Sequence, residues 1–197
     1  MNNQQRNVAV FIFDEVEVLD FCGPFEVFSV TGKRNGLNPF NVYVVAEERR
    51  PISARNNLSV NPHYDFEDCP PPDILLIPGG YGTRREMHNQ KVLDWITARF
   101  QETELLLSVC TGSLVLAKAG LLQGLTATTH HLALAELTKI APQTTVDGSR
   151  RVIDNGKIII SAGISAGIDM SLQVVAKLLG KEQALETAAY MEYDWKG

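Results

Sequence analysis

Leu105-Leu-Leu-Ser-Val-Cys110-Thr-Gly-Ser113 is an apolar run that ends in a cysteine and passes at once through a glycine into a helical pattern. A strand that turns sharply into a helix at such a residue forms a nucleophile elbow, because the turn lifts the side chain clear of the sheet edge. There Cys110 lies beside the first unpaired N–H groups of the helix, where the positive end of the macrodipole favours thiolate over thiol. The same residue reads equally well as a small buried hydrophobe, the commonest fate of a free cysteine.

Other segments carry residues that would serve a nucleophile. Ile77-Pro-Gly79-Gly80 ends a second apolar run, and adjacent glycines let the backbone pass close to a neighbour with its N–H exposed. The Gly80 and Thr111 N–H groups would then form an oxyanion hole, with Gly79 and Gly80 also contacting substrate, although a plain strand-exit turn satisfies Pro-Gly-Gly as well. Asp20 stands among apolar residues shortly before Pro24. It either caps the helix that Pro24 starts or, desolvated against Cys110, acquires a raised pKa and exchanges a proton with the sulfur. The Thr111 hydroxyl would steady Asp20 or an attacking water. Glu26 falls in the first turns of that helix and takes a structural or supporting role. His130 follows Ala127-Thr-Thr129 at the end of a short strand and offers a supporting group or a Cys-His base, with His131 beside it as a competitor. No Cys-x-x-Cys occurs and the two histidines are adjacent, so no metal site is expected.

Short continuous apolar runs alternate with longer runs of helical period, the pattern of a parallel sheet covered on both faces by crossover helices. Residues 7–13 read as a strand, 23–30 as a helix with Pro24 in its first turn, and 40–46 as a second strand. Residues 52–60, with Asn56-Asn57 midway, read as a hairpin, after which Cys69-Pro-Pro-Pro-Asp73 feeds a buried strand over 74–77. A helix over 90–102, a strand over 105–109, a helix over 111–119, a β segment at 126–129 and a helix over 132–140 follow. Residues 151–161 form another hairpin with Asp154-Asn-Gly156 at its tip, and two helices rich in alanine and leucine close the chain. Ligands of open α/β sheets bind beyond the carboxyl ends of the strands, which points to residues 14–24, 78–83 and 109–113.

At 197 residues, without repeats or linkers, the chain is read as one domain over 1–197. A net charge of −5 gives no field for phosphate backbones or anionic lipid, so neither nucleic acid nor membrane is an expected partner. The opening Met-Asn-Asn-Gln-Gln-Arg-Asn lacks the apolar region of a signal peptide, and no run approaches the roughly 20 apolar residues of a bilayer span. The three cysteines, Cys22, Cys69 and Cys110, have no paired spacing and fit a reducing compartment. The expected location is the cytoplasm.

Together, Leu19-Asp20-x-x-Gly-Pro24, Asp68-Cys-Pro70, Ile77-Pro-Gly-Gly80, Ser108-Val-Cys-Thr-Gly-Ser113, Ala119-Gly-Leu-Leu-x-Gly124, Ala127-Thr-Thr-His130 and Gly163-Ile-Ser-Ala-Gly-Ile-Asp169 resemble the ThiJ/PfpI family within the class I glutamine amidotransferase-like fold. The resemblance runs over residues 7–193. It implies a flavodoxin-like sandwich, with a mainly parallel central sheet flanked by helices on both faces and the elbow at Cys110. Within the family the chain is most similar to the isocyanide-hydrating branch, which implies a cofactor-free enzyme, a small-molecule substrate, a homodimer and catalysis by Cys110 and Asp20. The PfpI-type peptidases have histidine after the nucleophile where this chain has Thr111, and glutaminases use a His-x-Glu pair near the C-terminus whereas no histidine follows His131 here, so both activities are disfavoured. The stress-protective branch carries a glutamate beside its cysteine, and the corresponding position is read as Asp20. A stress-response or redox sensor remains the competing reading. The domain also resembles the sensor half of AraC-type regulators, and a chain ending at Gly197 is expected to have no room for their helix-turn-helix units.

Overall fold

The Ile-Leu-Leu-Ile of residues 74–77 has no polar position on either face, and a strand of that kind is stable only where both faces are covered. In the computed structural model, which describes residues 5–197, it lies near the middle of a six-stranded sheet. The chain runs β1 (Arg6–Phe11), α1 (Val18–Val30), β2 (Phe40–Val45), the hairpin β3 (Ile52–Ser53) and β4 (Ser59–Val60), β5 (Ile74–Ile77), the single turn α2 (Thr83–Glu86) and α3 (Gln90–Glu102). It continues as β6 (Leu105–Val109), α4 (Gly112–Lys118), β7 (Thr126–Ala127), α5 (Leu134–Ile140), β8 (Thr145–Val146), β9 (Val152–Asp154), β10 (Ile158–Ser161), α6 (Ala166–Leu179) and α7 (Lys181–Tyr190).

The sheet order is β2-β1-β5-β6-β10-β9, parallel throughout except that β9 runs against β10. Helix α6 packs on α1 and α7, whereas α4 packs on α2, α3 and α5. The chain leaves β1 toward β2 on one side and returns to β5 on the other, so the strand order reverses between β1 and β5. A crevice opens at such a reversal, and the segments after β1, β5 and β6 meet there. The Val16 and Gly80 backbones pair across it, and the Glu17 N–H donates to the Gly79 carbonyl at 2.9 Å.

Three local expectations are corrected. The first helix begins at Val18 rather than at residue 23, because Glu17 is tied to the strand-exit turn and the apolar period is already running at Val18. Pro24 therefore sits inside the helix, and Asp20 occupies its first turn rather than its cap. Pro24 has no N–H for the Asp20 carbonyl four residues earlier, so the helix accommodates a missing bond there. The β segment at 126–129 is reduced to Thr126–Ala127 and pairs with β8 in a separate two-stranded ribbon. The helix read over 132–140 is a 3-10 turn, His131–Ala133, followed by α5.

No described helix is long and apolar enough to cross a membrane. The amino-terminal stretch discussed above begins in residues 1–4, which lie outside the described residues.

Candidate active site

Cys110 is one of the few non-glycine residues with a positive φ, +56°, the backbone signature of the strand-to-helix elbow. A side chain in that region costs on the order of 1 kcal/mol, and persists where its surroundings over-determine it. Here the Cys110 N–H donates to the carbonyls of Ser161 at 3.2 Å and Ala162 at 3.1 Å. Its own carbonyl accepts from Thr129 Oγ1 at 2.9 Å and Ser113 Oγ at 3.1 Å, both from buried side chains. Gly112 closes the turn, since a Cβ there would lie 2.1 Å from the Ile77 carbonyl oxygen.

Asp20 is fully buried, and its Oδ2 accepts the Gly79 N–H at 3.0 Å. Any side chain at residue 79 would strike this pair, because its Cβ would come within 2.7 Å of Asp20 Oδ2 and 2.6 Å of the Thr111 nitrogen. Burial pushes the Asp20 carboxyl up to about 7, against the opposing pull of the Gly79 N–H and the Cys110 thiol, and the charge of Glu17 adds to the rise. Burial and then the Asp20 charge push the Cys110 thiol up to about 12, opposed by the N–H groups of Thr111 and Ile164. Each group feels the other as a hydrogen-bond partner, yet Asp20 Oδ1 has no partner in hydrogen-bond geometry.

The surroundings weigh against the expectation of a resting thiolate. The sulfur-bearing residue is only 5% exposed and faces a carboxyl, while α4 offers just 7 residues of helix. Desolvation and the neighbouring negative charge oppose that short dipole and favour the protonated thiol. The expected oxyanion hole is corrected as well. The Gly80 N–H is already given to Thr111 Oγ1 at 3.0 Å, and the Gly79 N–H is given to Asp20. Thr111 Oγ1 also lies 3.2 Å from Thr83 Oγ1 and 3.2 Å from the Gly80 carbonyl, so its hydroxyl is engaged with the strand-exit turn rather than with Asp20. The donors that reach the sulfur are the N–H groups of Thr111 and of Ile164, the latter strained at φ +50°.

Cys110 opens onto a cavity of about 190 Å³, walled by Thr111, Gly80, His130, Ala133 and Ile164 and rimmed by the exposed Tyr81 and Leu132. His130 Nδ1 accepts the Leu132 N–H at 3.3 Å, which leaves the proton of a neutral ring on Nε2. Burial first, then His131 and Arg84, lower the His130 pKa, so the ring is neutral at pH 7. Glu26 is exposed on α1 and does not line the cavity, which removes its supporting role. Glu17, Arg55, Arg84 and Ile164 line the cavity and were not singled out from sequence. Only Ile164 left a signal, since it follows the end of β10 as Cys110 follows β6. A larger cavity, about 330 Å³, lies by Asp14, Glu47, Arg50 and Glu86. It holds no cysteine, serine or histidine, whereas the smaller one holds Cys110 and His130. Among the described residues no group of three or more histidine, cysteine, aspartate and glutamate side chains is placed to hold a metal.

Residues 6–177 match the family profile described as the DJ-1/PfpI family. The chain is 34% identical over 189 residues to isonitrile hydratase of Pseudomonas putida, spanning 94% of this chain and 78% of that protein. It is 30% identical over 172 residues to the HTH-type transcriptional regulator CdhR of Pseudomonas aeruginosa, covering 82% of this chain but 51% of the regulator, about half its length. Among solved structures, a ThiJ/PfpI family protein from Pseudomonas syringae superposes with a TM-score of 0.87 at 28% identity, covering 98% of this chain and 77% of that one. Drosophila melanogaster DJ-1beta superposes with a TM-score of 0.84 at 19% identity, over 98% of this chain and 100% of the other, a likeness of fold.

Proposed function

The chain belongs to the DJ-1/PfpI family, and on that premise we propose that it hydrates isocyanides to N-substituted formamides, with Cys110 as nucleophile and Asp20 as proton carrier. Isocyanide and isonitrile name the same group, so the relative from Pseudomonas putida supports the reaction class. The observation that carries the reading is the fully buried Asp20 carboxyl, held by the Gly79 N–H at 3.0 Å beside Cys110, where burial pushes it up to about 7. A carboxyl of that pKa can both take and return a proton near neutrality.

The steps balance without a cofactor. Asp20 as carboxylate takes the thiol proton while sulfur attacks the terminal carbon of R–N≡C, and then gives that proton to the same carbon. The product is a thioimidate, R–N=CH–S, on Cys110. Water adds across the C=N bond, its proton going to nitrogen. Collapse of the tetrahedral adduct expels sulfur, which recovers a proton, and releases R–NH–CHO. The Thr111 and Ile164 N–H groups favour negative charge on sulfur during attack and departure, where a resting thiolate would have gained nothing extra in the transition state. A cavity of about 190 Å³, small beside ordinary ligand pockets, suits a compact substrate.

A sensor without turnover needs an accessible thiolate, and a buried, protonated sulfur weighs against it. The family resemblance carries with it a homodimer, which light scattering on the purified protein measures. The decisive assay is formamide production from a simple alkyl or aryl isocyanide. Wild type is expected to turn over, and Cys110→Ser and Asp20→Asn to lose turnover with unchanged circular dichroism. A wild-type protein that produces no formamide removes the proposal.

A further inference from the structure

Three charged side chains line the Cys110 cavity, and they are not equivalent. Arg55 Nη1 lies 2.8 Å from Glu15 Oε2, with its guanidinium 4.1 Å from the centre of the Tyr81 ring. Arg84 Nη2 lies 2.5 Å from Glu136 Oε2, with Nε 3.3 Å from the other oxygen. Both cations are matched by carboxylates of their own. Glu17 has no such partner: among the described residues its carboxylate makes neither an ion pair nor a hydrogen bond. It is the N-cap of α1, where a side-chain oxygen ordinarily accepts from the first N–H groups of the helix, yet it makes no capping bond. Its half-buried side chain lines the cavity instead. The charge of Glu17 is felt at Asp20, at Arg55 and, more weakly than that of Arg84, at His130.

A carboxylate at a cavity wall with neither an ion pair nor a hydrogen bond of its own is free to pair with a ligand that supplies a cation. Resting on the reading that the cavity takes an isocyanide, we infer that Glu17 selects substrates whose substituent ends in an ammonium group over neutral or anionic ones of the same size. The exposed Leu132 at the rim gives such a group apolar contact beside its charge.

The test does not depend on turnover. Cys110 is modified with methanethiosulfonates bearing a trimethylammonium or a sulfonate end, and the Cys110 peptide is followed by mass spectrometry. The cation-to-anion rate ratio, divided by the same ratio for free cysteine, is expected to reach about tenfold. Glu17→Gln should bring it close to one. Glu26→Gln, which removes the same charge from an exposed position, should leave it unchanged. A wild-type ratio at or below one, or a ratio untouched by Glu17→Gln, overturns the inference. If the protein hydrates neutral isocyanides and shows no charge preference, the hydratase reading survives and this one falls. If it discriminates by charge but forms no formamide, the substrate class stands for an electrophile other than an isocyanide.

Discussion

Neither Cys110 nor Asp20 is at ease with a charge, and that shared reluctance makes the pair useful. A thiol held near 12 and a carboxyl held near 7 leave one mobile proton to be moved between them as bonds form, rather than a reactive anion waiting in the apo protein. Two outcomes follow. The kcat/KM for isocyanide hydration should rise with pH through about 7, as Asp20 becomes the carboxylate that accepts the thiol proton, and then stay level through pH 9, still below the thiol value. A profile measured from pH 5 to 9 that is flat, or falls through 7, contradicts Asp20 as the acceptor. Thiolate absorbance near 240 nm supplies the second check. After burial, the negative charge of Asp20 is what raises the thiol, so in Asp20→Asn the Cys110 titration should move down toward the ordinary thiol range, even as turnover, which needs the proton acceptor, is lost. A Cys110 titration that does not move would mean that Asp20 carries no charge beside the sulfur.

The elements that hold these residues were legible in proportion to how local their causes are. Strands β5 and β6 and helix α3 begin and end where the apolar pattern does, helped at the start of α3 by Asn89, whose side chain accepts the Lys91 N–H at the N-cap. The start of α1 is not legible from Pro24, the helix's local breaker, because it depends on Gly79, far away in sequence, whose carbonyl accepts the Glu17 N–H. Cys110, Asp20 and Gly79 were readable because each belongs to a short motif at a strand or helix end. Glu17, Arg55 and Arg84 were not, since they come from the cap of α1, the turn between β3 and β4, and α2, which meet only when the sheet assembles. The elbow gives the clearest test at this scale. In Gly112→Ala the new methyl would press on the Ile77 carbonyl, a backbone atom of β5 that cannot step aside. Destabilisation of about 1–3 kcal/mol is expected in urea unfolding, with a larger proportional loss in kcat than in KM, because the shift falls on the residues beside the sulfur. Wild-type stability in this variant would mean that the elbow yields more readily than its bonding suggests.

At the scale of the whole molecule the site is a cost that the core sustains. A continuous buried cluster runs through the strands and the helices on them, and it holds in place a strained cysteine, a strained isoleucine and a carboxyl with one unpartnered oxygen. The carboxyl makes this cost measurable as a function of pH. Asp20 has a folded-state pKa of about 7 against 3.8 when free, so the native state holds its proton where the unfolded chain has released it. For a group raised in this way the stabilising contribution is complete below pH 4 and is lost as pH rises through 7. The span corresponds to on the order of 3–4 kcal/mol for this fully buried group. Other carboxyls, such as Asp14, whose pKa is lowered although burial, the largest single influence, opposes the bond from Arg50, drive total stability the other way. The informative quantity is therefore a difference between variants. Asn at position 20 cannot ionise, so the stability of Asp20→Asn minus that of wild type should climb by a few kcal/mol between pH 4.5 and pH 8, read from urea unfolding at each pH. A difference that stays constant across that range would show Asp20 titrating as an ordinary carboxyl, and the proton carrier would have to be sought elsewhere in the cavity.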